Sequence, residues 1–294
     1  MSSRERAARP ERVGVVSFTN VAPLNWGLKP WASGGGTAEF VYGVPTKLNA
    51  ALASGDIDLT LVSSIEFIRH RDRYRALLDF SIATLGPVYS VMLFHRPAWR
   101  DLHGLRIAVT TESATSVELL RVLLEADGIR AELLPTAGGL DDLLAVADAA
   151  LLIGDAALKG AVKHVPPTHG GPGGRPISGR SAIDPRLHVT DLGEAWYRLT
   201  RLPFTFAVWA SRDDARPSGE LVAAFREARR SGLGHLSAVA AVEAEKLGLP
   251  HEIVQRYLEN FRYYLEPPDL DGLYAFAMRS DPAFKDGELR FWEG

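Results

Sequence analysis

Arg106-Ile-Ala-Val-Thr-Thr-Glu-Ser-Ala-Thr-Ser-Val-Glu-Leu-Leu120 reads as a short apolar strand that empties into a helix. Thr115 and Glu118 stand in the spacing of a capping box, and Gly128 closes a helix expected over 116–127. A helix that begins where a strand ends leaves its first N–H groups and its positive dipole end at that sheet edge. With the hydroxyls of Thr115 and Ser116 beside them, the place suits a small anion. The same pattern also serves an ordinary capped helix that binds nothing.

Beyond this stretch come a strand over 131–134, a helix over 141–146 and a strand over 149–153. Such alternation predicts a mostly parallel, helix-covered sheet. The last strand ends in Gly154-Asp155. Asp155 brings a carboxylate to the edge that holds Thr115 and Ser116, or it caps a helix over 156–162.

Towards the N-terminus, Val13-Gly-Val-Val16 is a buried-strand run ending in Ser17-Phe-Thr-Asn20. Ligands of open α/β sheets sit outside the carboxyl ends of their strands, so Ser17 and Asn20 are candidates, Asn20 being a turn residue otherwise. Residues 33–36 are a glycine loop. A helix over 44–54 has Pro45 at its start and Gly55 after its end. A strand over 58–64 delivers Ser64 to the same edge, a helix is expected over 65–75, and Gly86-Pro87 turns into a strand that begins at Ser90.

Residues 164–184 are too rich in proline and glycine for helix or strand and read as a surface insertion. An amphipathic segment over 191–200 precedes an apolar strand over 202–211, and four helices follow. Two long strands, 89–95 and 204–211, thus bracket the second alternating series. The fold class expected is α/β with two lobes joined by two hinge strands and a ligand cleft between them. Lobe one is assigned 1–95 and 207–294, and lobe two 96–206.

The composition narrows the function. The chain has 294 residues, 46% hydrophobic and 23% charged, ample for two cores. A formal net charge of −3 offers no electrostatic footprint for nucleic acid or an anionic membrane. The absence of cysteine removes disulfides, thiolate metal sites and a cysteine nucleophile. No Gly-x-Gly-x-x-Gly follows the first strand, so a dinucleotide enzyme is disfavoured, and no cofactor or metal is expected. Residues 1–10 carry both charge signs and no apolar core, the basis for expecting a cytoplasmic protein.

Five ordered blocks carry a resemblance: Ser17-Phe-Thr-Asn-Val-Ala-Pro-Leu24, Gly86-Pro-Val-Tyr-Ser-Val91, Thr111-Glu-Ser-Ala-Thr-Ser116, Leu152-Ile-Gly-Asp155, and Asp191-Leu-Gly-Glu-Ala-Trp196 through Pro203-Phe-Thr-Phe-Ala-Val-Trp209. Together, from about residue 13 to about 265, they resemble the chorismate dehydratase family of the futalosine route to menaquinone. The resemblance implies a type 2 periplasmic-binding-protein fold and loss of water from chorismate, a small dianionic acid, to give 3-[(1-carboxyvinyl)oxy]benzoate. Under it, Asn20 and Ser90 are the catalytic candidates. Ser17, Ser64, Gly86, Thr115, Ser116 and Asp155 are substrate-binding candidates.

No histidine falls in a matched block, leaving Asp155 or the substrate's own enolpyruvyl carboxylate to take the proton, with the tethered carboxylate favoured. Two rivals share the fold. The sister enzyme that makes 1,4-dihydroxy-6-naphthoate fits the 111–116 and 191–193 blocks less well. A transport solute-binding protein needs export or a lipid anchor, for which the sequence shows neither signal nor cysteine.

Overall fold

A computed structural model describes residues 9–28, 38–164 and 179–292. In chain order its elements are β1 (Glu11–Val16), β2 (Ala38–Gly43), α1 (Pro45–Ser54), β3 (Leu59–Ser63), α2 (Ser64–Arg69), β4 (Tyr74–Thr84), β5 (Val91–His95), β6 (Arg106–Val109), α3 (Ala114–Ala126), β7 (Glu132–Pro135), α4 (Leu140–Val146), β8 (Ala149–Ile153) and α5 (Gly154–His164). Then follow β9 (Gly179–Arg180), β10 (His188–Asp191), α6 (Leu192–Thr200), β11 (Phe204–Arg212), α7 (Gly219–Gly234), α8 (Leu236–Leu247), α9 (His251–Glu259), β12 (Phe261–Arg262), α10 (Pro267–Ser280) and β13 (Phe291–Trp292). The loop expected at 33–36, the leader 1–8 and the core of the 164–184 insertion lie outside the described residues.

Two sheets organise the chain. The first runs β12-β4-β11-β3-β1-β2, with β13 on β4, and the second runs β7-β6-β8-β5-β10-β9. β1 pairs in parallel with β2 and β3, and β6 with β7 and β8, as crossover helices require. Antiparallel strands complete each sheet: β11 lies between β3 and β4, and β5 between β8 and β10. β5 and β8 are buried along their whole length, which is why both read as unbroken apolar runs.

The two-lobed architecture is as expected, but the lobe boundaries shift. β5 belongs wholly to the second sheet and β11 wholly to the first. The chain therefore crosses at 85–90 and 201–203, short bent segments rather than hinge strands. A strand with neighbours on both sides and apolar side chains on both faces has no freedom to act as a hinge. β4 corrects the helix expected to reach residue 75. Its polar members are satisfied inside the fold, Ser81 Oγ donating to Arg262 O at 3.1 Å and Thr84 Oγ1 to Gly86 O at 3.2 Å, which masks its strand pattern. At the margins of the insertion, His164 ends α5 and β9 pairs with β10.

α3 joins the lobes, packing on α6 of its own lobe and on α2 and α10 of the first. Leu119, Leu120 and Leu123 on it enter one apolar core that continues through Ile65, Trp196 and Phe276. A smaller cluster around Met92, Phe94, Leu143 and Ala150 covers the other face of the second sheet. Among the described residues no helix is long and apolar enough to cross a membrane.

Candidate functional site

The carboxyl ends of β1, β3 and β8 and the start of α3 meet at one cavity between the lobes. Its interior has room for about 110 Å³ of water-sized groups, opening to a wider mouth. The first lobe supplies Phe18 and Asn20 after β1, Thr46 and Asn49 from α1, Ser63 from β3 and Phe206 from β11. The crossing segment supplies Val88 and Ser90, and the second lobe supplies 112–116 with Ile153 and Gly154. Among the described residues no lysine, arginine or histidine stands in this wall. An anion held there is held by neutral donors.

The second lobe's contribution is the first turn of α3. Its N-cap is Ser113, whose side chain accepts from Ser116 N at 3.1 Å and also meets Ser116 Oγ at 3.0 Å. The N-cap therefore falls two residues before Thr115, and Glu118 closes no capping box. Thr115 Oγ1 instead accepts from Ile65 N, across the lobes, at 3.0 Å. That bond uses an oxygen lone pair and leaves the threonine O–H as a donor. Ala114 and Thr115 line the cavity as the first two helical residues, whose N–H groups a helix cannot satisfy itself. Glu118 turns away to Arg69 (3.3 Å) and Arg121 (2.6 Å).

Asn20 lies in the wall, and its Oδ1 is buried without a hydrogen-bond partner among the described residues. Buried polar atoms are nearly always paired, so this acceptor stands open to a donor entering the cavity. Ser90 is 2% exposed. Its Oγ donates to Val88 O at 3.4 Å, and the phenol of Tyr257 beside it is fully buried, which raises its pKa. Gly154 N donates to Ser90 O at 2.8 Å, tying the crossing segment to the end of β8.

The other candidates stand outside the wall. Ser17 is exposed. Gly86 is buried in the crossing segment at φ 95°, a backbone role. Asp155 follows the wall residue Gly154 but accepts from Thr19 N at 3.4 Å. Ser64 corrects the sequence reading most clearly: it lies outside the wall, its Oγ donating to Thr205 O at 2.6 Å. Ser64 is already the first residue of α2, and its neighbour Ser63, which ends β3, takes the place in the wall. Asn49, Thr46 and Tyr257 escaped the sequence reading. Asn49 sits on the same face of α1 as the core residues Leu48 and Leu52, and Tyr257 lies in an aromatic run that reads as core.

Asp191, N-cap of α6, is completely buried and accepts from Tyr89 N (2.7 Å), Val88 N (3.0 Å) and Glu194 N (2.9 Å). Burial pushes its carboxyl up to about 7, the backbone N–H groups opposing the rise.

The menaquinone biosynthesis family model matches residues 11–281. The chain belongs to the menaquinone biosynthesis family. A chorismate dehydratase of Thermus thermophilus is 44% identical over 269 residues, spanning 92% of this chain and 94% of that protein. A chorismate dehydratase of Campylobacter jejuni is 25% identical over 263 residues, 86% of each. Among solved structures, an Archaeoglobus fulgidus protein superposes with a TM-score of 0.65 at 20% identity, covering 90% of this chain and 96% of that one. The Escherichia coli periplasmic aliphatic sulphonate binding protein superposes at 0.64 with 17% identity, covering 96% and 92%. This family member thus has the periplasmic-binding-protein fold.

Proposed function

We propose that this chain is a chorismate dehydratase, a hydro-lyase that converts chorismate to 3-[(1-carboxyvinyl)oxy]benzoate in menaquinone biosynthesis. The observation that carries the reading, beside the family membership, is a cleft whose neutral donors come from both lobes and converge on one small space. The proton lost lies on the ring carbon bearing the enolpyruvyl ether, conjugated through a ring double bond to the ring carboxylate. Its removal spreads charge onto that carboxylate as a dienolate. Loss of the neighbouring hydroxyl, which leaves with the proton as water, makes the ring aromatic.

The protein's task is to hold a dianion, stabilise charge growing on one carboxylate and help the hydroxyl leave. In this reading the O–H groups of Thr115 and Ser116 and the first-turn amides of α3 hold one carboxylate. Asn20 and Ser90 meet the reacting ring, the buried phenol of Tyr257 standing beside Ser90. Each well-placed donor is worth about 10²–10³ in turnover, the loss expected for Asn20→Ala.

The substrate's enolpyruvyl carboxylate takes the proton, because Asp155 is turned to Thr19 N. Asp155→Asn should therefore lose far less than the roughly 10²–10⁴-fold that a general base contributes. The direct test is to mix purified protein with chorismate and follow the loss of one water by mass spectrometry. An unchanged chorismate pool with intact, folded protein would return the cleft to simple solute binding.

A further inference from the structure

The crossing segment that carries Ser90 is held by a carboxylate of the second lobe, Asp191. Tyr89, immediately before Ser90, has φ 62°. Among the described residues the other non-glycine residue with positive φ is Arg201 at 63°, which ends α6 in the left-handed conformation common at helix C-termini. No such context explains Tyr89, and a bulky side chain is disfavoured there.

What surrounds Tyr89 does explain it. Oδ2 of Asp191 accepts from Tyr89 N at 2.7 Å and from Val88 N at 3.0 Å, while Oδ1 accepts from Glu194 N at 2.9 Å and Val88 N at 3.1 Å. Asp191 is opposite Met92 in the β10–β5 ladder, two residues past Ser90. The first turn of α6 is pressed onto the same segment: a Cβ on Gly193 would lie 2.7 Å from Gly86 O. Capping α6 needs one carboxylate oxygen. The second oxygen spends itself on the two amides that precede Ser90.

We propose that Asp191 is a positioning residue for the reaction, its carboxylate holding Tyr89 in the left-handed conformation and so aiming Ser90 into the cleft. The role in turnover rests on the chorismate dehydratase reading. The hold on the backbone does not.

Asp191→Asn separates the two jobs of the carboxylate. Asparagine caps helices as well as aspartate, so one oxygen can still serve Glu194 N. Its NH₂ then faces the amide of Tyr89, donor against donor. Kinetics on chorismate would be measured for wild type, Asp191→Asn, Tyr89→Gly and the double variant, with melting curves for each. Asp191→Asn is expected to lower kcat by about 10–100-fold, with KM changed by less than about threefold.

Glycine adopts positive φ without the carboxylate's help. In the Tyr89→Gly background the same substitution should therefore cost about tenfold less than it does beside Tyr89. Equal losses in both backgrounds, or a fall in melting temperature with kcat of the folded protein unchanged, would overturn the proposal. Hydrogen exchange supplies the arm that needs no substrate: in Asp191→Asn the peptide over 86–91 should exchange faster while α6 keeps its protection. Unchanged exchange over 86–91 overturns the hold itself. A wild type that leaves chorismate intact refutes the functional reading, and the exchange result then decides the hold on its own.

Discussion

The turn after β3 and the turn after β6 begin from similar sequence, Val62-Ser-Ser64 and Ser113-Ala-Thr-Ser116, and are wired in opposite ways. In the second lobe, Ser113 caps its own helix and Thr115 reaches across to Ile65 N. In the first lobe, Ser63 occupies the N-cap of α2 without a side-chain cap bond and faces the cleft, so the amide its helix leaves open is taken by Thr115. One turn is self-sufficient and the other is completed by its counterpart. The two lobes therefore meet through the very residue that lines the ligand cavity.

Thr115→Val should break this arrangement with the largest effect. Valine keeps the shape and removes both the acceptor for Ile65 N and the O–H offered to the ligand. The expected fall in kcat/KM on chorismate is about 10²–10³-fold, the scale of losing one preorganised donor. Ser113→Ala, by contrast, should remove a wall hydroxyl already spent within its own turn on Ser116, costing about 1 kcal/mol of stability in a urea titration. If Ser113→Ala hurt turnover as much as Thr115→Val, the division between capping and grip would be wrong.

Hydroxyls and backbone amides do not titrate, so acid should unfold the molecule through other groups, and His95 in the second lobe is one. It is 2% exposed and neutral, its Nδ1–H donating to Pro97 O at 2.7 Å and Nε2 accepting from Thr190 Oγ1 at 2.9 Å. Burial, with stacked His188 adding to it, lowers its pKa from 6.5 to about 4. The unfolded chain then binds the proton first. Stability is fully present above pH 6.5 and falls as pH drops towards about 4, by about 3 kcal/mol in total. Asp191, raised to about 7, acts in the opposite sense, its contribution being lost as pH rises from about 4 through about 7. Wild type should therefore lose stability relative to His95→Gln as pH falls from 6.5 towards about 4, and the difference between the two should not vary with pH above 6.5.

Most of this fold was legible because burial leaves a periodic trace. β8 and α1 read directly from apolar runs and from Pro45 and Gly55, the latter at φ 88°. β4 was hidden because its buried Ser81 and Thr84 look like surface residues until their partners, Arg262 O and Gly86 O, are known. Asn20, Ser90, Thr115 and Ser116 were found in the wall because strand ends mark it. Ser64 was mistaken for Ser63 because one residue decides the face and the strand's end cannot be read that finely. Tyr257 and Asp191 act through partners more than a hundred residues away in sequence, and no local pattern announces such a contact.

Ser63 and Ser64 give the finest test of facing. Ser64→Ala removes a buried bond to Thr205 O and should cost about 1 kcal/mol of stability with turnover unchanged. Ser63→Ala should do the reverse, lowering kcat/KM modestly while leaving the urea midpoint in place. Matching losses of activity from the two would mean that the strand end twists both hydroxyls towards the cleft.

The smallest effect belongs to the other link between the two turns. Glu118 on α3 pairs with Arg69 on α2 at 3.3 Å, but the Arg69 side chain is 53% exposed, and Arg121 of the same helix competes for the carboxylate at 2.6 Å. Water screens such a pair, so Glu118→Gln should cost only about 0.5 kcal/mol, less in high salt, and leave KM for chorismate where it was. A loss of several kcal/mol, or a KM that climbed with salt in the wild type alone, would move the junction of the lobes from the Thr115 hydroxyl to the ion pair. The hydroxyl is the stronger candidate because its bond is buried on both sides, whereas both cations of the ion pair stand in water.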